Sequence, residues 1–471
     1  MSKKATVNLA TSKPKKPVKT INPTRYASLV EALSKGGPVV WASCLVMGLG
    51  NIFAGQFVKG LLFLLIEVGL IYFMVAPGGG FYNLSMLPSL GDRPMQEVWN
   101  DDLGVYEYVM GDQSLLILLF GVVTIAAIIV LFIFWQASVR SGYVALLTKK
   151  EGKVPNNFWD DIKSLFDDNI HKLLMIFPFV CLIVFTIVPL VYMISMAFTN
   201  YSTVNDHLVL FDWVGLETFK SLFQSGSSLS EQFGSVLVWT LIWAFFATFL
   251  NFFFGTFVAM IINRPSTKLK GLWRTIFSLT IAIPQFVSLL LINTMFREQG
   301  IVNSLLQEWQ LIESPLPVLT EATAARIFVI IINLWVDIPY TIMQVTGILK
   351  NIPADLYEAA KIDGANAAQQ FINITLPYMI FVMTPYIITS FTGNINNFNV
   401  IYLLTGGGPG EVGKDAGQTD LLVTWLFKLS VDLQKYNLAA VIGIFTFVIL
   451  AVISLVTYRS SGSYKDEEGF K

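Results

Sequence analysis

Charged residues are scarce in this sequence. Only 13% of its 471 residues are Asp, Glu, Lys or Arg, whereas 54% are hydrophobic. A soluble domain of average composition carries about 25% charged residues. Several uncharged runs also exceed the roughly 18–20 residues that cross a bilayer. The composition therefore excludes an ordinary soluble protein and predicts an all-α polytopic membrane protein.

Cysteine and histidine are almost absent. Cys44 and Cys181 lie in apolar stretches, as small buried side chains do, and this pattern predicts neither a disulfide nor a metal pair. His171 and His207 are far apart, so a metal site or the catalytic cluster of a membrane-embedded enzyme is not predicted. The net charge of −1 gives no electrostatic basis for binding nucleic acid. We predict no cofactor or metal in this chain.

Hydropathy predicts about eight transmembrane helices. They lie near 58–76, 114–136, 173–197, 236–263, 273–295, 326–348, 374–393 and 438–458. A ninth apolar stretch, residues 39–55, contains a Gly-Leu-Gly-Asn break. If it also crossed, the basic segments would fall on opposite sides of the membrane. We therefore predict an interfacial or re-entrant helix there, with the last six spans forming a core.

The distribution of Lys and Arg orients the chain. The first 37 residues are polar and Lys-rich, without the early apolar segment of a secretory leader, and the segment after the second span is also basic. Residues 77–113 are strongly acidic. Lys and Arg excess marks the cytoplasmic side, so both termini are predicted to be cytoplasmic. The predicted layout is a basic tail (1–37), an interfacial or re-entrant helix (38–57), an accessory transmembrane pair (58–136), a linker with a short amphipathic helix (137–172), the core (173–458) and a cytoplasmic tail (459–471).

One glycine-rich stretch, GGGPGEVGKD at residues 406–415, has the spacing of a phosphate-binding loop. A phosphate loop needs Ser or Thr after its lysine to hold magnesium, but Asp415 follows Lys414. Pro409 also removes one of the amide donors that would cradle the phosphates. The predicted topology places the stretch outside the cell, away from ATP. We predict a structured external loop with no nucleotide.

The segment between the sixth and seventh spans, residues 351–377, is too polar to cross the membrane. Pro353 suits the first turn of a helix. Gly364 permits a tight or left-handed turn, and Pro377 is predicted to open the next span. Two short helices with small side chains would form either a compact knob for a partner's groove or an amphipathic surface helix. The residues alone favour neither interpretation.

A motif in this segment resembles the EAA loop of ABC-importer permeases. The defining positions are Glu358, Ala359, Ala360, Gly364, Ile374, Leu376 and Pro377. In that family the loop is the coupling helix that docks in a cleft of the ATPase subunit. The resemblance implies that a partner ATPase binds the ATP and magnesium, and that this chain is a transport subunit and not an enzyme.

A second resemblance, over roughly 173–458, is to the carbohydrate permeases of the maltose and maltodextrin (MalF-like) type. The stretch NNFNVIYLLTGGGPG, residues 396–410, and the extra N-terminal pair of spans carry it. The short loop at about 198–235 departs from the family members that have a large extracytoplasmic domain there. The resemblance implies a prokaryotic cytoplasmic membrane location, a second homologous permease, two ATP-binding subunits and an extracytoplasmic sugar-binding protein as partners, and an oligosaccharide as substrate.

Polar side chains at membrane depth predict a sugar path. Asn333, Asp337 and Tyr340 lie at i, i+4 and i+7 of the sixth span, with Pro339 expected to break the helix locally. An ionisable residue inside a span is a functional candidate by default, although Asp337 at an external helix end would simply be solvated. The resemblance assigns substrate contacts to Asn333, Tyr340, Ser390 and Asn394, and more weakly to Ser288; Asp337 departs from it. Ser390 is equally explained by helix packing.

We therefore expect a permease that forms half of the pore of an ATP-driven oligosaccharide importer. Permeases for another neutral sugar, a polyol or glycerol phosphate are alternatives, but phosphate cargo would call for Lys or Arg at membrane depth. A proton- or sodium-coupled transporter that uses Asp337 as its ion site would need no ATPase. A scaffold would need no polar face on its spans.

Overall fold

The computed structural model describes residues 27–460 except 102, 103, 168 and 265, and of residues 172 and 460 only the backbone. Most of both predicted tails, 1–26 and 461–471, therefore lies outside the described residues. The chain forms two compact units that divide between Tyr192 and Met193. Within the described residues, seven helices are long and apolar enough to cross a membrane, and there are eight spans if a strongly bent helix pair is counted as one. The predicted all-α class with about eight spans is confirmed.

The first unit contains two long helices, several short ones and a hairpin. In chain order its elements are α1 (Leu29–Lys35), α2 (Gly37–Leu45), α3 (Leu49–Ala54), α4 (Phe57–Val75), α5 (Gly80–Met86), β1 (Gln96–Asn100), β2 (Val105–Val109), α6 (Ser114–Lys150), α7 (Phe158–Phe166), α8 (Ile170–Leu182) and a π-helical turn (Ile183–Ile187), which continues into α9 (Val188–Met196). The antiparallel hairpin β1–β2 pairs Trp99 with Tyr106 and lies in the acidic segment, and the all-α prediction did not include it.

The apolar stretch 39–55 forms two short helices, α2 and α3, with a break between them. Neither reaches the length that crosses a bilayer. Polar side chains hold the break: the Met47 amide donates to Glu67 Oε2 at 2.8 Å, and the Gly48 amide donates to Ser138 Oγ at 2.8 Å. A left-handed glycine, Gly48 with φ +87°, starts α3. Backbone groups freed by the break are thus satisfied inside the unit.

Helix α6 is longer than predicted. It continues past the expected end at 136 to Lys150, so part of the predicted linker is helical. Its 37 residues correspond to about 55 Å, well beyond a hydrocarbon core of about 30 Å. The apolar run stops before Arg140 and Lys149, so hydropathy placed the end of this helix too early. The backbone remains helical beyond that point. The amphipathic helix predicted in the linker is α7, which begins with a capping box at Asn157.

The second unit is a helical core. Its elements are the end of α9, a 3₁₀ turn (Val204–Asp206), α10 (Glu217–Ser221), α11 (Ser228–Asn263), α12 (Lys270–Ala282), α13 (Gln285–Phe296), α14 (Ile301–Glu308), α15 (Ala322–Asn351), α16 (Ala354–Ile362), α17 (Ala367–Gln370), a π-helical turn (Phe371–Thr375), α18 (Leu376–Ile395), α19 (Phe398–Thr405), α20 (Leu422–Val431) and α21 (Tyr436–Ser460). Helices α11 and α15 are the central pair. Gly255 permits their close approach, because a Cβ there would lie 2.6 Å from Thr341 Cβ.

The fifth predicted span, 273–295, is wrong as a single helix. The chain breaks between α12 and α13, and the two parts meet at an angle of 86°. Ile283 is extended, with φ −82° and ψ 126°, and Pro284 follows it. Proline cannot donate to the helical ladder and disfavours helical backbone at the preceding residue. Hydropathy recorded the apolar composition but not this break.

The expected local break at Pro339 is also wrong. Helix α15 runs without interruption from Ala322 to Asn351, with Pro339 buried inside it. Buried residues on both sides of the proline, Val329 before it and Ile342 after it, pack within the core. Packing along both halves of the helix offsets the lost backbone hydrogen bond.

The segment 351–377 forms two short helices, as predicted. Helix α16 begins after Pro353, and Gly364 adopts the left-handed conformation with φ +79°. Pro377 does not open the next span, however. The helix already begins at Ala367 and passes through the π-helical turn into α18, where the Leu376 amide donates to the Phe371 carbonyl. The wider turn accommodates the proline that follows.

Candidate functional site

A cavity of about 320 Å³ lies at the break between α12 and α13. Helix α15 forms its other wall. The lining residues are Thr280, Ile281, Ile283, Pro284, Gln285, Ser288, Trp335, Val336, Asp337 and Tyr340. The break therefore creates the cavity, because it turns α13 away from α12 and opens space beside α15. Three predicted substrate residues, Ser288, Asp337 and Tyr340, meet here.

The carboxylate in the cavity is held by a buried amide one helical turn away. Asn333 is fully buried, and its Nδ2 donates to Asp337 Oδ2 at 3.0 Å. The other carboxylate oxygen accepts no hydrogen bond from any described residue, and Asn333 Oδ1 is a buried acceptor without a hydrogen bond. A buried polar atom without a partner is costly unless a ligand or water satisfies it. Asn333 thus orients Asp337 and leaves acceptors for hydroxyl groups.

Two aromatic side chains border the carboxylate. Tyr340 is 45% exposed and Trp335 is 44% exposed, and both line the cavity. An aromatic face covers the apolar face of a sugar ring, while carboxylate, amide and hydroxyl groups bind its hydroxyls. Gln285 and the nearly buried Ser288 supply such groups from α13. The arrangement suits a neutral polyhydroxylated ligand.

Three of the predicted coupling residues, Glu358, Ala359 and Ala360, lie on α16, which forms an exposed knob. Glu358 and Ala359 are exposed on α16, and Ile362 at its end is 86% exposed. The knob is fastened to its own span by Tyr357, whose hydroxyl lies 2.8 Å from Thr375 Oγ1. Gly364, Leu376 and Pro377 lie in the turn and the following helix, with Ile374 in the π-helical turn between them. An exposed apolar end on a short, fixed helix is a surface that a partner can cover.

Comparison with known proteins decides the family. Residues 251–462 match the model of the "binding-protein-dependent transport system inner membrane component". The maltodextrin transport system permease protein MalC of Streptococcus pneumoniae is 34% identical over 438 residues, which cover 90% of this chain and 96% of MalC. The chain belongs to the carbohydrate permeases of ABC importers.

One further relative and one solved structure are also similar to this chain. The permease is 32% identical over 429 residues to GanP, the galactooligosaccharides transport system permease protein of Bacillus subtilis, covering 90% of this chain and 97% of GanP. A solved bacterial ABC transporter for alginate import has a chain with a TM-score of 0.51 and 23% identity, covering 64% of the permease and 97% of that chain. This structural likeness shows a shared fold.

Sequence analysis missed Tyr386 on α18. Its side chain lies near those of Thr341 and Ser390 and near the Asp337 carboxylate. It therefore links the Asp337 face of α15 to Ser390, which is not in the cavity lining itself. Tyr386 lies four residues before Ser390, on the same helical face, and this spacing is the signal that could have identified it.

Asn394 lies in helix packing and not in the cavity. It is 4% exposed, and its Nδ2 donates to Thr248 Oγ1 of α11 at 3.0 Å. The backbone carbonyl of Asn394 accepts a hydrogen bond from Trp243 Nε1 at 3.0 Å. Through these contacts Asn394, which was predicted to bind the substrate, joins α18 to α11. It thereby fixes the position of α18, which also carries Ser390.

The glycine-rich loop of the permease is built around a carboxylate. Asp420 is fully buried, lies 2.6 Å from Lys428 Nζ and accepts from the Gly417 amide at 2.7 Å. The loop is also tied to the core, since Arg326 Nε donates to the Gln418 carbonyl at 2.8 Å. The buried ion pair and the hydrogen bond from Arg326 therefore hold this loop in place.

Replacing Gly407 by alanine is expected to destabilise this loop. Gly407 has φ +77°, and a Cβ would lie 1.9 Å from Asp420 Oδ1. Left-handed backbone alone costs a non-glycine residue about 1–2 kcal/mol, and displacing a buried ion pair costs several kcal/mol more. We expect a lower melting temperature of the purified permease in detergent. Gly406→Ala is the matched control, because Gly406 has φ +60° and open space around it. Equal effects of the two variants would contradict the role of Asp420.

Proposed function

We propose that this permease forms half of the translocation pathway of an ATP-driven importer for neutral oligosaccharides, with maltodextrins as the first substrate class. The observation that carries the proposal is the cavity in which Asp337, Ser288 and two aromatic rings meet beside a buried amide. Such groups recognise hydroxyls and ring faces. The names of MalC and of a second maltodextrin permease, MdxF of Bacillus subtilis at 33% identity over 435 residues, support maltodextrins.

Within this proposal the site residues have different roles. Ser288, Asp337 and Tyr340 contact the sugar, and Asn333 orients the carboxylate. Ser390 affects sugar binding indirectly, through Tyr386 on the same helix, α18. Asn394 holds α18 in position. Galacto-oligosaccharides are the second candidate, because GanP is related over the same share of the chain.

The transport cycle needs energy from a partner. In the proposal an extracytoplasmic sugar-binding protein delivers the sugar, a second homologous permease completes the pore, and two ATP-binding subunits bind ATP and magnesium. The knob on α16 (Ala354–Ile362) docks on one ATPase and transmits its closure. The ATP-bound state must favour the outward-open pore by several kcal/mol to shift the population. Both termini lie in the cytoplasm of a prokaryotic cell, by the distribution of Lys and Arg.

Transport in proteoliposomes tests the proposal. The complete transporter is reconstituted with ATP on the side of the ATPase and the sugar-binding protein on the other. We expect ATP-dependent uptake of radiolabelled maltotetraose that unlabelled maltodextrins compete and that a proton ionophore does not abolish. Uptake of galactotetraose alone would move the assignment to galacto-oligosaccharides. Uptake that needs no ATPase and collapses with the ionophore would establish a secondary transporter instead.

A further inference from the structure

The first unit contains a cavity of about 790 Å³, larger than the one in the core. Helices α4 (Phe57–Val75) and α6 (Ser114–Lys150) form two walls, and the amphipathic helix α7 (Phe158–Phe166) closes one end. Leu62, Phe63 and Ile66 line it on one face of α4, opposite Phe134 on α6. Nothing in the proposed sugar path uses this space.

The polarity of this cavity changes along its length. Ile66 and Phe134 line one end, whereas Thr148, Asn156 and Asp161 line the other. Along α6 the distance from Phe134 to Thr148 is about 21 Å at 1.5 Å per residue. The cavity is therefore apolar at one end and mixed at the other, where Phe158, Ile162 and Leu165 of α7 lie beside the polar groups. Its length suits an amphiphile and exceeds that of a small polar metabolite.

The polar end lies at a membrane surface. Helix α6 exceeds the hydrocarbon thickness of about 30 Å, and its excess ends in Lys149 and Lys150. Helix α7 exposes Trp159, 66% accessible, and Phe166 on the side away from the cavity. Aromatic residues on a short amphipathic helix are typical of the interface between hydrocarbon and water. The lipid headgroup layer thus coincides with the middle of the cavity.

One cation on the cavity wall has no counter-charge. Lys59 is neutralised by Asp161, whose Oδ2 lies 2.7 Å from the Lys59 ammonium. The Arg140 guanidinium forms no ion pair with any described carboxylate, and its Nε donates a 3.4 Å hydrogen bond to the Gln136 carbonyl. Arginine binds phosphate oxygens bidentately and strongly. Arg140 stands on the wall between the apolar and the polar end.

We propose that this cavity binds one anionic phospholipid. The phosphate contacts Arg140, an acyl chain lies along Phe63, Ile66 and Phe134, and the headgroup faces Asn156 and Thr148. The phosphate of either kind of lipid can contact Arg140, but a zwitterionic headgroup adds a cation for which the cavity lining offers no free carboxylate, because Asp161 is paired with Lys59. An anionic headgroup is therefore favoured. The site is separate from the sugar path and does not depend on the proposed substrate.

Lipid retention by the complete transporter tests the site. The transporter is delipidated in detergent and titrated with palmitoyl-oleoyl phosphatidylglycerol or phosphatidylcholine, and bound lipid is counted by native mass spectrometry. We expect one phosphatidylglycerol to bind this permease about tenfold more tightly than phosphatidylcholine. Arg140→Gln is expected to remove that preference. Lys150→Gln is the matched control, because it removes a cation near the end of the same helix that does not line the cavity.

A second variant protects the test against a folding defect. Ala137→Phe fills the cavity from α6 and is expected to reduce the binding of both lipids without lowering the melting temperature. Equal affinity for the two lipids, unchanged in Arg140→Gln, would overturn the proposal in favour of a general lipid groove. Competition by inorganic phosphate or glycerol phosphate would indicate a headgroup site alone. Phosphatidylglycerol that binds only after deletion of residues 1–26 would show that this chain's own N-terminal segment occupies the cavity.

Discussion

Glu358→Lys is expected to reduce ATP-dependent sugar uptake about 100-fold while the permease stays folded. Glu358 is exposed on α16 and forms no hydrogen bond or ion pair with another described residue, so the charge reversal removes no such bond there. If the knob docks on the ATPase as proposed, a lysine there becomes an unpaired charge in a desolvated interface, which costs about 3 kcal/mol or more. Uptake measured in proteoliposomes and the amount of ATPase that co-purifies with a tagged permease should fall together.

Asp363→Lys provides the matched control for this prediction. It makes the same charge change at the exposed end of α16, about 140° around the helix from Glu358 at 100° per residue. We expect it to retain most of the uptake and of the bound ATPase. If Glu358→Lys retained both, α16 would not be the docking helix, whatever sugar the permease carries.

Asp337→Ala is expected to raise the KM for maltotetraose uptake about 30-fold. A hydrogen bond to a charged group contributes about 1.5–3 kcal/mol, and the variant also leaves the buried Asn333 amide without its acceptor. Since the carboxylate borders the aromatic rings, its loss should also change which chain length competes best. Uptake kinetics over a series of unlabelled maltodextrins measures both effects.

Two further variants separate a role in binding from a role in folding. Asp337→Asn keeps the volume and an acceptor oxygen for Asn333, so we expect a smaller rise in KM than with alanine. Asn394→Ala should show the opposite pattern, a lower melting temperature with little change in KM, because its amide bonds to Thr248 in helix packing. A KM that is insensitive to both changes at Asp337 would remove the cavity from the sugar path.

The coupling segment could be predicted in detail because its signals are local. Pro353 and Gly364 act on their own backbone, and each occupies the predicted position at a helix start or a left-handed turn. The break at Pro284 was missed because hydropathy averages over apolar residues on both sides of it. The same proline chemistry gave the wrong expectation at Pro339, where packing of α15 within the core decides the outcome.

The site was predictable only in part, because helical spacing gives a face but not its neighbour. Asn333, Asp337 and Tyr340 share a face of α15 as predicted, yet only the bend between α12 and α13 brings Ser288 to them. The family resemblance assigns a substrate contact to Asn394. The direction in which its side chain points, however, depends on the position of Thr248 on another helix. The spacing of Tyr386 and Ser390 gives their common face on α18, but only the packing of α18 beside α15 brings Tyr386 near Asp337.

In this permease the π-helical turn at Phe371–Thr375 also changes the helical face on which each later residue lies. Its hydrogen bond joins residues five apart, so the turn contains one residue more than an α-helical turn. If the rotation about the helix axis is counted at 100° per residue from the knob through this turn, every later residue, including Ser390, is assigned to the wrong face. A relative that lacks one residue here can keep both its knob and its cavity wall in place. Sequence alignments between such permeases should therefore allow a single-residue gap at this turn.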